Sequence, residues 1–233
     1  MASKKELHFF PGEKKLVWVV DGAPQIKADA WGGEEPVKGV KYDVMKPRPT
    51  TPGRYVIYSY APYKTNTWVY SKLTWGTELK VDPTGKGMLY KTGVASPAWA
   101  RLEDKIPGAD VAFVKDLYAQ NFGANTVFDK DGDGLPETWV FNDFGPWAVR
   151  YYKDSNHNHK LDEGESLSGE MFHTTPFNEA QVKVGDAVTL QPSHGCIHLD
   201  PTQREALHKA GAFAKGMDVV IHKYTEAVPA LWK

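Results

Sequence analysis

The sequence has a single cysteine, no long apolar run and no excess of charge of either sign. One cysteine, Cys196, excludes an internal disulfide and leaves any thiol free to react. No stretch approaches the ~20 apolar residues that cross a bilayer, and Leu16 to Val20 is too short for the apolar core of a signal peptide. We therefore expect no transmembrane segment, with any export signal removed or another export route used.

The charge balance narrows the class of partner. The 28 basic and 29 acidic residues give a formal net charge of -1, so no long-range field attracts the chain to nucleic acid. With 233 residues, 41% of them hydrophobic, the chain is long enough for one sizeable core. We expect one domain over 1–233, no nucleic-acid partner and a monomer.

Strand and helix patterns alternate along the chain. "KKLVWVVDGAPQIKADAWGG" predicts a β-hairpin, and "TTPGRYVIYSYAPY" predicts a strand after a Pro-Gly turn. "TWVFN" and "WAVRYY" are also interpreted as strands. "DVAFVKDLYAQNF" has helical spacing, and a second helix is expected after Asp200 as its cap, with Gln203 closing a capping box. A final strand follows Gly216, in "MDVVIHKY".

The stretch "SHGCIHLD" places His194 and His198 within two residues of Cys196. The cysteine is expected in a loop that leads to a helix N-terminus, where the helix dipole would favour the thiolate and lower the pKa of the thiol. A nucleophile needs a base within reach, and the candidates are His194 and His173, the latter at the end of a strand in "MFHTTP". The alternative is a buried apolar cysteine beside a core histidine.

A zinc site is a further alternative for this stretch. Cys196, His194 and His198 would supply three ligands within a few residues, which strains a tetrahedral shell, and the chain has no second cysteine. The spacing therefore argues against zinc.

The motif Ser193-His194-Gly195-Cys196-Ile197, preceded by His173, resembles the signature of the L,D-transpeptidase catalytic domain (the YkuD-type domain) of bacterial cell-wall enzymes. "TTPGRYVIY", "WVYSKLTWGTEL" and "AKGMDVVIH" are similar to other segments of that family. The chain departs from it in having 19 residues between His173 and Ser193, and in having His198 where the family usually has Arg or Asn. The resemblance implies a β-rich α+β fold, a mixed β-sandwich with two or three helices.

The same resemblance implies a role for each matched residue. Cys196 would be the nucleophile, His173 the general base, and the carbonyl of Thr174 the group that orients its ring. Ser193 and His194 would shape the loop, and the N–H groups of Gly195 and Cys196 would form the oxyanion hole. His198 is assigned to substrate binding. Trp68 and Trp75 are assigned either to a groove that binds glycan or to core packing.

The activity that the resemblance implies is acyl transfer on peptidoglycan stem peptides. The enzyme would release D-Ala from a tetrapeptide stem, pass the acyl group from Cys196 to an amine, and be acylated by carbapenems. Transfer to water would make it an L,D-carboxypeptidase, such as a secreted antibacterial effector. An inactive, calcium-braced wall-binding module is the third hypothesis. Each implies a periplasmic or cell-wall location, and catalysis needs no cofactor.

The acidic stretch "DSNHNHKLDEGE" has the ligand spacing of an EF-hand loop. Position 6 is His159, where a glycine is usual, so this residue is expected in a left-handed conformation. The loop predicts a structural Ca²⁺ site. Its expected ligands are Asp154, Asn156, Asn158, Lys160 through its carbonyl, Asp162 and Glu165.

A similar stretch, "DKDGDGLPE", lies 25 residues earlier and has Gly134 at position 6 but Val140 at position 12. The alternative for both stretches is a polar turn that binds nothing. We expect the two loops to form a calcium-binding insertion over 128–166 that braces the fold. The expected ligands here are Asp129, Asp131, Asp133, Leu135 through its carbonyl, and Glu137.

Overall fold

The computed structural model describes residues 3–40, 48–124 and 126–233. Backbone contacts group the chain into two units. The barrel unit comprises Met1–Ala61, Ala148–Thr174 and Val188–Lys233, and the second unit comprises Pro62–Trp147 and Thr175–Ala187. The predicted insertion over 128–166 does not follow this division, because its first acidic loop belongs to the second unit and its other loop to the barrel unit. The single domain over 1–233 stays a prediction.

Among the residues that the structure describes, the barrel unit holds eight strands and one α-helix. Its strands are β1 (Lys5–Phe10), β2 (Lys15–Val20), β3 (Ala23–Trp31), β4 (Gly53–Ala61), β8 (Ala148–Tyr152), β9 (Leu167–His173), β10 (Ile197–Leu199) and β11 (Asp218–Ile221), and its helix is α3 (Pro201–Lys209).

These strands form a closed sheet in the order β1-β11-β4-β8-β9-β10-β3-β2. The β1–β11 and β9–β10 pairs are parallel and the others antiparallel. The β-rich α+β class and the mixed sheet are confirmed. The inner core is built from alternate residues of the strands, including Leu7, Phe172 and Ile197, because side chains on a strand alternate between two faces.

The second unit holds β5 (Leu79–Val81), β6 (Met88–Lys91) and β7 (Trp99–Arg101), which form an antiparallel sheet, with helices α1 (Val111–Phe122) and α2 (Pro176–Val184). Trp139 lies at the centre of its core and is fully buried. Its indole Nε1 donates to the carbonyl of Tyr70 at 2.7 Å, so the polar end of the ring is satisfied.

Several predicted elements are confirmed. The hairpin is β2–β3, the strand of "TTPGRYVIYSYAPY" is β4, and "WAVRYY" contains β8. The Pro-Gly turn expected before β4 is wrong, because Pro52 is in no turn and Gly53 is the first residue of the strand. Helix α1 begins after Asp110, whose side chain accepts a hydrogen bond from the N–H of Phe113. None of the helices in the part of the chain that the structure describes combines the length and apolar character needed to cross a bilayer.

The strand predicted for "TWVFN" is wrong. Trp139, Val140 and Phe141 are all buried, so the segment lacks the alternation of a half-exposed strand. Its backbone pairs with loops instead, since the N–H of Trp139 donates to the carbonyl of Thr77 at 2.7 Å.

The capping box at α3 is also wrong in part. Asp200 caps the helix as predicted, accepting from the N–H groups of Thr202 and Gln203 at 2.7 and 3.1 Å. The side chain of Gln203 instead accepts from the N–H of Asp29 on β3 at 2.8 Å. Gln203 therefore joins α3 to the sheet.

Candidate active site

The Cys/His site lies in the barrel unit, where β10 follows Cys196 and pairs with β9. The register places Ile197 opposite Phe172 and His198 opposite His173. Ile197 and Phe172 point into the core, so the residues that flank them point to the other face of the sheet. His173 and His198 share that face, and Cys196 immediately precedes β10. The strand pairing thus brings together His173 and His198, which are 25 positions apart in the sequence.

His173 is buried and held in one orientation. Its Nδ1 lies 2.7 Å from the carbonyl oxygen of Thr174, which is fully buried. A carbonyl can only accept, so Nδ1 carries the proton and Nε2 keeps its lone pair. Burial, with a smaller effect from His198, lowers the pKa of His173 to about 3. The imidazole is therefore neutral at physiological pH.

His198 packs edge-on against His173, with ring centroids 4.7 Å apart. Its Nδ1 lies 2.9 Å from the carbonyl oxygen of Gln191, which fixes the ring in the same way. Burial lowers the pKa of His198 as well. The residue predicted to bind substrate therefore also contacts the predicted base.

Cys196 is half-buried, and burial raises the pKa of its thiol to about 11. The expected lowering is wrong, for two reasons. Strand β10 separates Cys196 from α3, and the first N–H groups of that helix donate to Asp200, so the positive end of the dipole is not presented to the thiol. In addition, the nearby carboxylate of Glu170 opposes ionisation.

The loop before Cys196 is fixed by hydrogen bonds of its own. Ser193 Oγ donates to the carbonyl of Cys196 and accepts from the N–H of Gly195 at 3.0 Å. Gly195 has φ +106°, a backbone conformation that residues other than glycine rarely adopt. In this structure the N–H of Gly195, one of the two predicted oxyanion donors, is therefore engaged by Ser193. His194 is exposed at the tip of the loop.

Two predicted substrate residues belong to the second unit. Trp75 is half-buried, and its ring meets that of Phe128 edge-to-face, with centroids 5.5 Å apart. Trp68 is half-buried at the start of a short 3₁₀ helix, Val69–Lys72. The packing of Trp75 is that of a core residue, which is the alternative that the sequence left open.

The first acidic loop, 129–137, gathers carboxylates. One oxygen each from Asp129, Asp131 and Glu137 lie within 4.8 Å of one another, and this is the only group of three or more His, Cys, Asp or Glu ligand atoms in the described part of the chain. Asp129 is buried and accepts from the N–H groups of Gly132 and Gly134, at 2.8 and 2.9 Å.

The other acidic loop, 154–165, has the backbone conformation that its spacing predicts. His159 has φ +58°, which confirms the left-handed position 6. Its imidazole explains why a residue other than glycine stands here, because Nδ1 lies 3.0 Å from the carbonyl oxygen of Gly216 and Nε2 lies 3.4 Å from Asp218 Oδ1. Within the loop, the side-chain amides of Asn156 and Asn158 donate to one oxygen of Asp162, at 2.8 and 2.6 Å.

Sequence reasoning missed Glu170 and Arg48. Glu170, on β9, is buried and lies beside the cysteine loop, and Arg48 Nε donates to the carbonyl of His194 at 2.9 Å. The signal available in the sequence was an acidic residue within a strand, because Glu170 directly precedes the apolar stretch of β9.

Comparisons with known proteins give fold-level similarities only. No protein-family model and no curated protein sequence matches the chain. Solved structures that it resembles include an L,D-transpeptidase fragment (residues 123-326) from Xylanimonas cellulosilytica, at 11% identity and TM-score 0.38, and an L,D-transpeptidase from Mycobacterium smegmatis, at 12% and 0.38. L,D-transpeptidase 3 from Mycobacterium tuberculosis is 14% identical, with TM-score 0.35.

These similarities cover 95% of this chain in each case, and 62%, 59% and 62% of the three structures in the same order. The chain thus spans about three-fifths of the length of the structures that it resembles. At these identities and TM-scores the similarities say nothing about the activity of this chain.

Proposed function

We propose that the protein is a cysteine-dependent acyltransferase acting on peptidoglycan stem peptides, an L,D-transpeptidase. The observation that carries this is the buried, neutral His173, whose Nδ1–H is directed to the carbonyl of Thr174, at the end of a strand paired with the strand that Cys196 immediately precedes. A nucleophile, an oriented base and a glycine-containing loop are the parts that acyl transfer requires.

The chemistry starts from a neutral thiol and a neutral imidazole. Because the pKa of Cys196 is raised and that of His173 is lowered, a preformed thiolate–imidazolium pair is unfavourable. His173 Nε2 would accept the thiol proton as sulfur attacks the carbonyl carbon of the stem peptide. The imidazolium would then give that proton to the leaving amine of D-Ala, which leaves an acyl-thioester on Cys196.

The oxyanion needs donors at the loop. The N–H of Cys196 is our first candidate, and that of Gly195 would join it if substrate displaced the bond to Ser193. Loss of one such donor typically costs about 3–4 kcal/mol of transition-state stabilisation. His198, two residues after the nucleophile, would contact the acyl donor. A second amine would then accept the acyl group, giving a cross-link.

Product analysis on a purified disaccharide tetrapeptide tests this function. We expect wild type to give a cross-linked dimer and free D-Ala, and Cys196→Ala to give neither. Tripeptide with D-Ala and no dimer would mean an L,D-carboxypeptidase. Unchanged substrate with folded wild type would contradict catalysis on stem peptides and favour a binding module. A periplasmic or wall location and a monomeric state belong to the same proposal.

We further propose that Ca²⁺ binds the two acidic loops in a structural role. The oxygen-rich ligand sets suit calcium better than magnesium, which requires near-octahedral geometry. An ion that binds only the folded state adds about 2.7 kcal/mol at a hundred times its dissociation constant. Thermal melts in EDTA, Ca²⁺ and Mg²⁺ should show the largest stabilisation in Ca²⁺.

Two double variants assign that stabilisation to a loop. Asp129→Ala with Glu137→Ala removes carboxylates from the first loop, and Asp154→Ala with Glu165→Ala removes them from the other. Each should lose part of the calcium effect. Superimposable wild-type melts in EDTA and millimolar Ca²⁺, with no ion detected by elemental analysis, would mean that both loops are ordinary acidic turns.

A further inference from the structure

A buried carboxylate lies directly beside the loop that carries the nucleophile. Glu170 is only 3% exposed, and it shares the inner face of β9 with Phe172. Its Oε1 accepts from the hydroxyl of Thr51 at 2.7 Å and its Oε2 from the N–H of Thr51 at 3.1 Å. One side chain thus fixes the segment that leads into β4 by two hydrogen bonds.

That segment, 48–51, is bound in turn to the cysteine loop by two routes. Arg48 Nε donates to the carbonyl of His194 at 2.9 Å. The hydroxyl of Thr50 accepts from the N–H of Gly33 at 2.9 Å, and Gly33 forms a parallel bridge with Ser193. Both routes therefore reach residues just before Cys196.

Glu170 also lies directly beside Gly195 of the loop. A Cβ built on Gly195 would lie 3.1 Å from Glu170 Oε1 and 3.2 Å from Arg48 Nε. An acid and a guanidinium therefore both lie where a side chain of the residue next to the nucleophile would stand. Gly195 is needed here both for its positive φ and for this close approach.

We propose that Glu170 and Arg48 are positioning residues for the nucleophile: together they fix the backbone of the Ser193–Cys196 loop and present opposite charges to it. This inference rests on the proposed role of Cys196. Neither side chain touches the reacting atoms, so each acts through the loop.

The two residues act on the thiol with opposite signs. Glu170 contributes to the raised pKa of Cys196, whereas Arg48 acts to lower it. Removing the acid should therefore make the thiol more acidic, and removing the guanidinium should make it less acidic. If the two residues only supported the fold, removing either of them would change the pKa of the thiol in the same direction.

The experiment measures two rates on the full chain, alkylation of Cys196 by iodoacetamide at pH 9 and acylation by a tetrapeptide donor. Glu170→Gln should lower the thiol pKa by about one unit, which gives ten times more thiolate. Since the nucleophilicity of that thiolate falls about threefold, the net alkylation rate should rise about threefold. Arg48→Gln should slow alkylation by a similar factor.

Acylation separates positioning from charge alone. Glu170→Gln should slow acylation, with kcat reduced and KM little changed, although its thiol alkylates faster. Glu6→Gln is the matched control, because Glu6 is another buried carboxylate of the barrel unit, paired with Lys4 rather than placed at the loop. It should leave both rates unchanged.

Three results would overturn the inference: unchanged alkylation in both variants, a change of the same sign in both, or an unchanged acylation rate in Glu170→Gln. If Glu170→Gln fails to fold, the direction of the Arg48→Gln effect still decides. If wild type acylates nothing, the proposed function fails, while the alkylation signs still test the placement of the two charges.

Discussion

The barrel unit contains two histidine pairs, each beside a parallel strand pair, and different groups hold their ring nitrogens. In the His173–His198 pair, Nδ1 of each ring lies against a main-chain carbonyl. In the other pair, His8 Nδ1 lies 3.0 Å from His222 Nε2, and His222 Nδ1 lies 2.7 Å from Glu226 Oε2. Only the first pair has Nδ1 of both rings fixed by neutral acceptors.

The two pairs differ in the charge of the group that lies against Nδ1 of a ring. A carbonyl partner fixes the tautomer without adding charge. In the other pair, a carboxylate lies against Nδ1 of His222. Proximity of two imidazoles is common to both pairs, so it carries no functional information by itself.

The largest expected contrast is kinetic. His173→Ala should slow acylation of Cys196 by about 100-fold to 10,000-fold, as loss of a general base does. His222→Ala, in the carboxylate-bound pair, should leave acylation unchanged. Single-turnover acylation followed by mass spectrometry, with circular dichroism to verify folding, measures both. Comparable slowing in the two variants would contradict a functional difference between the two histidine pairs.

A smaller effect is expected within the first pair. His198→Ala should raise KM by about tenfold, the weaker end of the 1.5–3 kcal/mol range for a hydrogen bond to a charged group. The kcat should change little, because His173 keeps its bond to Thr174. Steady-state kinetics separate the two constants. If His198→Ala instead abolishes acylation and His173→Ala does not, then the roles of the two rings are exchanged.

The smallest contrast concerns stability against pH. The pKa values of His173 and His8 are lowered by burial to about 3 and about 4, so both are neutral when folded and protonate on unfolding below about pH 6.5. The free energy of unfolding should fall as the pH decreases from 6.5 to 4, by at most about 1.4 kcal/mol per pH unit for each histidine.

Urea unfolding at several pH values measures this slope. His173→Gln and His8→Gln should each make it shallower. The effect should be weaker for His8, because the charge of Glu6 acts to raise its pKa against burial. Equal slopes in wild type and both variants would show that neither ring is held neutral.

The sequence predicted local elements well because their signals are local. Asp110 and Asp200 cap helices through residues two or three positions away. Helix α2 lies among the 19 residues between His173 and Ser193, for which no helix was predicted. Its cap Thr175, followed by Pro176, is a local signal of the same kind.

The environment of the site could not be predicted in the same way. Cys196 and His173 were found from residue types in a motif, but the raised pKa of the thiol depends on strand β10 and on Glu170. Glu170 and its partner Thr51 are 119 positions apart in the sequence. Spacing in one chain holds no information about such contacts, because they are fixed by the pairing of distant strands.

The most direct test of the central claim is intact-mass measurement after incubation with a carbapenem. We predict one covalent adduct on wild type, assigned to Cys196 by peptide mapping, and a much slower appearance of the same adduct in His173→Ala. Cys196→Ala should remain unmodified. Folded wild type that stays unmodified, or an adduct that persists in Cys196→Ala, would contradict the assignment of Cys196 as the nucleophile.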